Sequence, residues 1–198
     1  MKKLSLLATA MLAVTANAGQ YKVDASHSGV GFKVKHLVIS TVRGTFNKFD
    51  GTIDFDPAKP SALKVDATID TKSVDTKEPK RDDHLRGDDF FATAKHPTAT
   101  FKSKSGELKN GKGKLTGDLT LRGVTKPVTM DVEFLGTAKD PYGNTKVSFS
   151  GTTKINRKDF GVSWNQNLDA GGVVVSDEVE ITLDIEANLV EKKVEKKA

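Results

Sequence analysis

Cysteine is absent from this 198-residue chain, which excludes disulfide staples and thiolate metal centres and leaves stability to the core alone. Aromatic residues are scarce at 7%, and there is neither an arginine cluster nor an interleaved basic-aromatic motif, so nucleic-acid recognition has no foothold. The formal net charge of +5 comes from lysines interspersed with Asp and Glu, the pattern of a solvated surface rather than a polyanion footprint. Histidine is rare: His27, His36, His84 and His96 include no i, i+4 pair, and no metal site is indicated. A G-x-S-x-G nucleophile motif is missing too. The acidic pairs Asp82-Asp83 and Asp88-Asp89 fit helix caps better than acid/base dyads. Gly106 to Gly113 falls one residue short of a phosphate-binding loop and lies between two strand patterns, so it reads as a hairpin.

Long hydrophobic runs are also lacking. Only Leu4 to Val14 is continuously apolar in character, too short for a bilayer span of about 20 residues. It follows Met1-Lys2-Lys3 and leads to Ala16-Asn17-Ala18 before Gly19, the layout of a secretory signal peptide. The expected organisation is a leader over 1–18, one domain over 19–190, and a Glu/Lys-rich tail over 191–198 that frays, with no transmembrane segment.

What the chain has in abundance is strict alternation. Val30, Phe32 and Val34 alternate with polar neighbours, as do Leu63, Val65, Ala67 and Ile69. Val128, Met130, Val132 and Phe134 follow the same rule, and so do Val179, Ile181, Leu183 and Ile185. Each run predicts a strand with one buried and one wet face. The apolar phase flips between Phe46 and Phe49, which places a bulge or tight turn at Asn47-Lys48. Turn signals stand at Asp56-Pro57, Asn110-Gly111, Arg122-Gly123, Pro141 to Asn144 and Ala170-Gly171-Gly172.

Residues 77–86 break the alternation, carry Pro79 early and precede Gly87, so a short helix is expected there, with a further helical turn near Asp88-Asp89-Phe90-Phe91. About eight one-sided strands leave a sandwich or a closed barrel. Glycines inclined to the apolar face, Gly44, Gly51, Gly117 and Gly151, favour strongly coiled strands and hence a barrel. Lys, Asp and Glu recur on the polar face, and a lipid-facing charge costs about 2–4 kcal/mol, so the apolar face must turn inward. Arg81, His84 and Leu85 share one helical face beside Phe90 and Phe91. Two readings of that cluster stand: a structural plug at one barrel end, or polar groups at the mouth of a ligand site.

The chain resembles the YceI-like polyisoprenoid-binding family of bacterial periplasmic proteins. The resemblance rests on Asp24-Ala25-Ser26-His27-Ser28, Val42-Arg43-Gly44-Thr45-Phe46, Arg81-Asp82-Asp83-His84-Leu85, Asp89-Phe90-Phe91, Leu119 to Pro127, and Asn156-Arg157 with Asp159-Phe160-Gly161. It implies an all-β fold, an eight-stranded antiparallel lipocalin-like barrel with a helix against it, holding a long-chain isoprenoid or fatty amphiphile in a homodimer. No catalysis, metal or cofactor is implied. Combining motif position with face assignment, Phe32, Phe46, Phe90, Phe101, Phe149 and Trp164 are the expected lumen or mouth contacts, and His36, Arg81, His84 and Arg157 the expected polar ones. Gly87 and Ala92 depart from the family pattern in the headgroup region. The leading reading is therefore periplasmic lipid storage or transport. Its competitors are an enzyme acting on an isoprenoid- or quinone-type lipid, and an exported stress or interaction protein that uses its outer face.

Overall fold

A computed structural model describes residues 19–166 and 173–190; the expected leader, the expected tail and the Ala170-Gly171-Gly172 turn lie outside the described residues. Eleven strand segments and one helix follow in order: β1 (Gly19–Val23), β2 (Gly29–His36), β3 (Ser40–Phe46), β4 (Phe49–Phe55), β5 (Lys64–Asp70), β6 (Val74–Asp75), α1 (Pro79–Arg86), β7 (Thr98–Lys109), β8 (Lys112–Leu121), β9 (Val124–Lys139), β10 (Thr145–Asn156) and β11 (Val175–Leu189).

Segment count and barrel count differ because three barrel strands are broken at a corner. β11 pairs with β2 over its first half and with β1 over its last residues. Likewise β3 pairs with β2 while β4 pairs with β1. β5 and β6 repeat the division against β4 and β3. The result is a closed eight-stranded antiparallel barrel, ringed β1-β4-β5-β7-β8-β9-β10-β11 and back to β1. The expected barrel is thus the observed one.

The corners have local causes. Asp24 accepts from the Ser26 amide and starts a 3-10 turn between β1 and β2; Asp70 does the same for Lys72 between β5 and β6. At the predicted phase flip, the Asn47 and Lys48 amides donate to the carbonyl and the hydroxyl of Ser73, at 3.1 and 2.9 Å, so this corner is bonded to its neighbour. The hairpins at Asn110-Gly111 and Arg122-Gly123 hold both central residues at positive φ (53° and 79°, 51° and 74°), the turn type whose twist matches the flanking strands. Arg122 is held there by its guanidinium, which donates to the carbonyls of Gly161 and Asp88.

The helix begins two residues later than expected. Lys77 has φ 64° and gives its amide to the Asp75 carboxylate, and left-handed backbone cannot enter a right-handed helix. Glu78 caps the helix by accepting from the Lys80 amide. Beyond Arg86 the chain makes tight turns up to β7, in place of the further helical turn expected near Phe90. Among the described residues β6 pairs only with β3, so no ladder joins β6 to β7 at this end, and α1 with its following turns covers that gap.

Candidate functional site

Inside the barrel the alternating apolar residues leave three adjoining spaces. The innermost, about 130 Å³, is walled by Phe101, Phe149, Leu115, Met130 and Gly151 among others. A second, about 120 Å³, lies beneath the helix among Phe32, Phe46, Leu85, Phe90 and Phe91. The two share Val30, Ile69, Leu119 and Ile181 as walls. The third, about 210 Å³, forms a mouth bounded by His36, Val42, Arg81, His84 and Trp164, and shares Phe32, Val34, Leu85, Phe90 and Val175 with the second.

At the opposite end the lumen is stopped by aromatic packing. Phe55, Phe134 and Phe149 stand 4.9 to 5.3 Å apart, centroid to centroid, in tilted and edge-on contacts. Tyr21, Leu108, Val147 and Ala187 are buried in the same core cluster. The cavity is therefore blind at one end and has His36, Arg81 and His84 at the other.

Two glycines keep the inner rings in place. A Cβ on Gly44 would lie 2.4 Å from the Phe32 ring, and one on Gly117 would lie 2.6 Å from Phe101. The Phe32 ring closes on its cross-strand partner Gly44 and the Phe101 ring on the diagonal neighbour Gly117, so neither position has room for a side chain.

The mouth is an aromatic and cationic rim. His84 meets Phe90 and Trp164 edge-on at 5.0 and 5.1 Å, and Phe90 lies 5.3 Å from Trp164. His84 Nε2 is 2.9 Å from Asp89 Oδ2. Arg81 donates from Nε to the Thr76 hydroxyl at 2.7 Å and from a terminal nitrogen to the Thr76 carbonyl at 2.8 Å. Asp82, buried at 6% exposure, accepts from the same Thr76 amide and hydroxyl. The Trp164 segment is fastened to the start of β11 by Asn165, whose side-chain amide donates to the Val175 carbonyl and whose oxygen accepts from the Val175 amide.

Arg157 is only 4% exposed and lies against the middle space. Its guanidinium donates to the carbonyls of Val162, Ser176 and Val175. Burial pushes its pKa down, and Asp177 at 3.6 Å opposes the shift. Such geometry makes Arg157 a clamp between the 157–162 turn and β11, with its donors spent on backbone.

The structure thus brings every sequence-selected residue to this lumen: Phe101 and Phe149 at the inner level, Phe46 and Arg157 at the middle, Phe32 and Phe90 between middle and mouth, and His36, Arg81, His84 and Trp164 at the mouth. It also adds residues not selected. Leu119 and Ile181 wall two levels, and Phe55 with Phe134 forms the stop. Alternation had already turned these side chains inward, but a period of two carries no information on height along the barrel axis.

Outside the lumen, Asp24, His27 and Glu186 bring three ligand-type atoms within 4.8 Å of one another. Lys146 already occupies that cluster, 3.1 Å from Asp24 and 2.7 Å from Glu186. Hydrogen bonds from Ser26, His27 and Lys146 hold the Asp24 carboxyl well below the usual carboxylate range.

Comparison with known proteins agrees with this architecture. The model of the YceI-like domain matches residues 21–187. The chain belongs to the YceI-like family. A UPF0312 protein of Pseudomonas paraeruginosa is 42% identical to this YceI-like chain over 193 residues, 94% of the chain and 98% of the relative. The crystal structure of the YCEI protein of Campylobacter jejuni is 38% identical, with a TM-score of 0.69 over 96% of this chain and 100% of that one. BcnA of Burkholderia cenocepacia is 30% identical, with a TM-score of 0.73 over 83% and 99%. A polyisoprenoid binding domain from Saccharophagus degradans shares the fold at 19% identity, with a TM-score of 0.61 over 86% and 98%.

Proposed function

We propose that this protein is a non-catalytic periplasmic carrier or store for one long-chain isoprenoid or similar amphiphilic lipid, held tail-first in the barrel with its headgroup at the α1 end. The observation that carries this reading is the blind apolar lumen, stopped by Phe55, Phe134 and Phe149 and rimmed at its other end by His36, Arg81, His84 and Trp164.

The dimensions set the cargo's length. The wall runs along β11 from Ile185 to Val175, which is about 33 Å of strand at about 3.3 Å per residue. A strand tilt of about 40° reduces that to about 25 Å along the barrel axis. Three covalent bonds of extended chain cover about 3.5 Å, so the lumen accommodates a tail of about five isoprene units. Each methylene-sized carbon buried contributes up to about 0.8 kcal/mol, part of which is lost in ordering a flexible tail. The tail therefore sets the affinity and the rim sets the orientation.

Support for a binding role comes from the apolar walls of the lumen, with Arg81 held at the rim by Thr76 and His84 by Asp89. The leader-like residues 1–18 support export, and the family resemblance supports a homodimer. Mass spectrometry of an organic extract of natively purified protein tests the proposal: one amphiphile of isoprenoid length per chain is expected, and an empty lumen after gentle purification refutes it.

A further inference from the structure

The hairpin between β2 and β3 carries Leu37-Val38-Ile39 at its tip, with Val38 69% and Ile39 85% exposed. Three consecutive apolar residues on an exposed tip oppose solubility, and in a well-ordered fold they mark a contact surface. Turn geometry does not call for them. Leu37 and Val38 stand at φ 52° and 66°, where Gly or Asn is unstrained and a β-branched residue is disfavoured.

The tip's position is informative. One residue before it, His36 borders the lumen mouth, and Val42 on the returning strand borders the same space. On the outer face of these two strands Lys35 and Arg43 are exposed; neither makes a direct ion pair among the described residues, and Arg43 acts on the Glu180 carboxylate at longer range. An apolar projection flanked by exposed cations, beside the opening of an apolar cavity, has the chemistry of a lipid-surface anchor.

We infer that the Leu37-Val38-Ile39 tip docks the mouth of the barrel onto an anionic phospholipid bilayer. The apolar side chains enter the headgroup boundary, and Lys35 and Arg43 lie against lipid phosphates. On the carrier reading, from which this inference extends, docking lets the cargo pass between bilayer and lumen without exposing its tail to water.

Flotation of the full chain with vesicles of phosphatidylethanolamine and phosphatidylglycerol, and separately of phosphatidylcholine, tests the assignment. Both as-purified and lipid-stripped protein are expected to float with the mixed vesicles. The Val38→Asp/Ile39→Asp double variant is expected to partition about a hundredfold more weakly, with its unfolding midpoint unchanged. Lys35→Glu/Arg43→Glu weakens flotation with the anionic vesicles only, and Tyr142→Ser, on the exposed β9–β10 turn, floats like the parent.

Undiminished flotation of the Val38→Asp/Ile39→Asp variant overturns the inference. So does a parent protein that ignores vesicles while that variant shifts its sedimentation from dimer to monomer, since the tip then meets a second copy of the chain. The carrier reading is judged separately. A lipid-containing extract with tip-independent flotation refutes docking alone, and an empty extract with tip-dependent flotation refutes the carrier and retains the membrane anchor.

Discussion

Gly151 offers a direct way to fill the lumen without disturbing the wall. It lies on β10 with cross-strand partners Val132 and Leu183, and all three face the innermost space. A Cβ placed there would sit 3.4 Å from Leu183 Cδ1 and 3.5 Å from Val132 Cγ1, ordinary contact distances. Gly151→Leu therefore introduces four carbons into a space of about 130 Å³. At about 0.8 kcal/mol per methylene, excluding four cargo carbons removes up to about 3 kcal/mol of gross binding. After the entropy regained by a shorter ordered tail, the expected loss of affinity for a prenyl-length amphiphile is about 10- to 100-fold. Stability moves the other way, because glycine in a strand interior costs about 0.5–1 kcal/mol relative to alanine and the new side chain buries apolar surface. Competition with a fluorescent fatty amphiphile reads the first effect, and thermal unfolding of lipid-stripped protein reads the second. Weaker binding together with an unfolding midpoint at or above the parent's is the expected signature. A variant that retains cargo of the same length and affinity refutes the placement of the tail beside β10.

At the blind end, Phe55→Ala removes the ring that touches both Phe134 and Phe149; it is expected to cost about 3–5 kcal/mol in urea unfolding and to shift the extracted lipids towards longer tails. Arg157→Ala leaves the carbonyls of Val162, Ser176 and Val175 without their buried donor, and a loss of about 3 kcal/mol is expected by the same measurement. The pH dependence of stability tests the Asp24 cluster. Because its folded carboxyl titrates well below the unfolded value near 3.9, its contribution is complete above about pH 4 and is lost as pH falls towards the folded pKa. Urea midpoints between pH 6 and pH 2 should therefore fall less steeply for Asp24→Asn than for the parent, and parallel curves refute the assignment.

The barrel was legible in the sequence because inward and outward side chains differ sharply at every second position. Val65, Ala67 and Ile69 reach the innermost space from β5, and Leu63 does so from the residue just before it, as their alternation requires. The phase flip at Asn47-Lys48 marked the corner between β3 and β4, since a break in period has no other cheap explanation in a one-sided strand. The matching corners at 24–28 and 71–73 carry no such signal: they lie between strand segments as short polar turns and read like ordinary loops. Arg157 is a related case: it borders the middle space as expected, and it also clamps backbone. A sequence shows a cation at a motif position but cannot show that its donors close onto backbone carbonyls more than fifteen residues away. Motif position did gather Arg81, His84, Phe90 and Trp164 at one rim, a grouping that no local periodicity could supply.

The broken strands also decide where cargo passes. Around the blind half, every strand is bonded to both neighbours, so any opening there must expose backbone donors and acceptors. At the mouth, β6 contributes two residues and pairs only with β3, and the next wall strand begins at Thr98. The intervening chain brings Leu85, Phe90 and Phe91 over the lumen. Its helix is otherwise polar and is held by directional contacts, among them Arg86 to the carbonyls of Lys72 and Val74 and Asp82 to Thr76. Lifting this cover breaks a few side-chain hydrogen bonds, each worth about 1.5–3 kcal/mol because a charged group takes part, and uncovers three apolar side chains. Parting two wall strands breaks a full ladder and floods the core. The cheaper path into the lumen therefore runs past α1, and the aromatic rim of His84, Phe90 and Trp164 stands where an amphiphile's tail gives way to its headgroup.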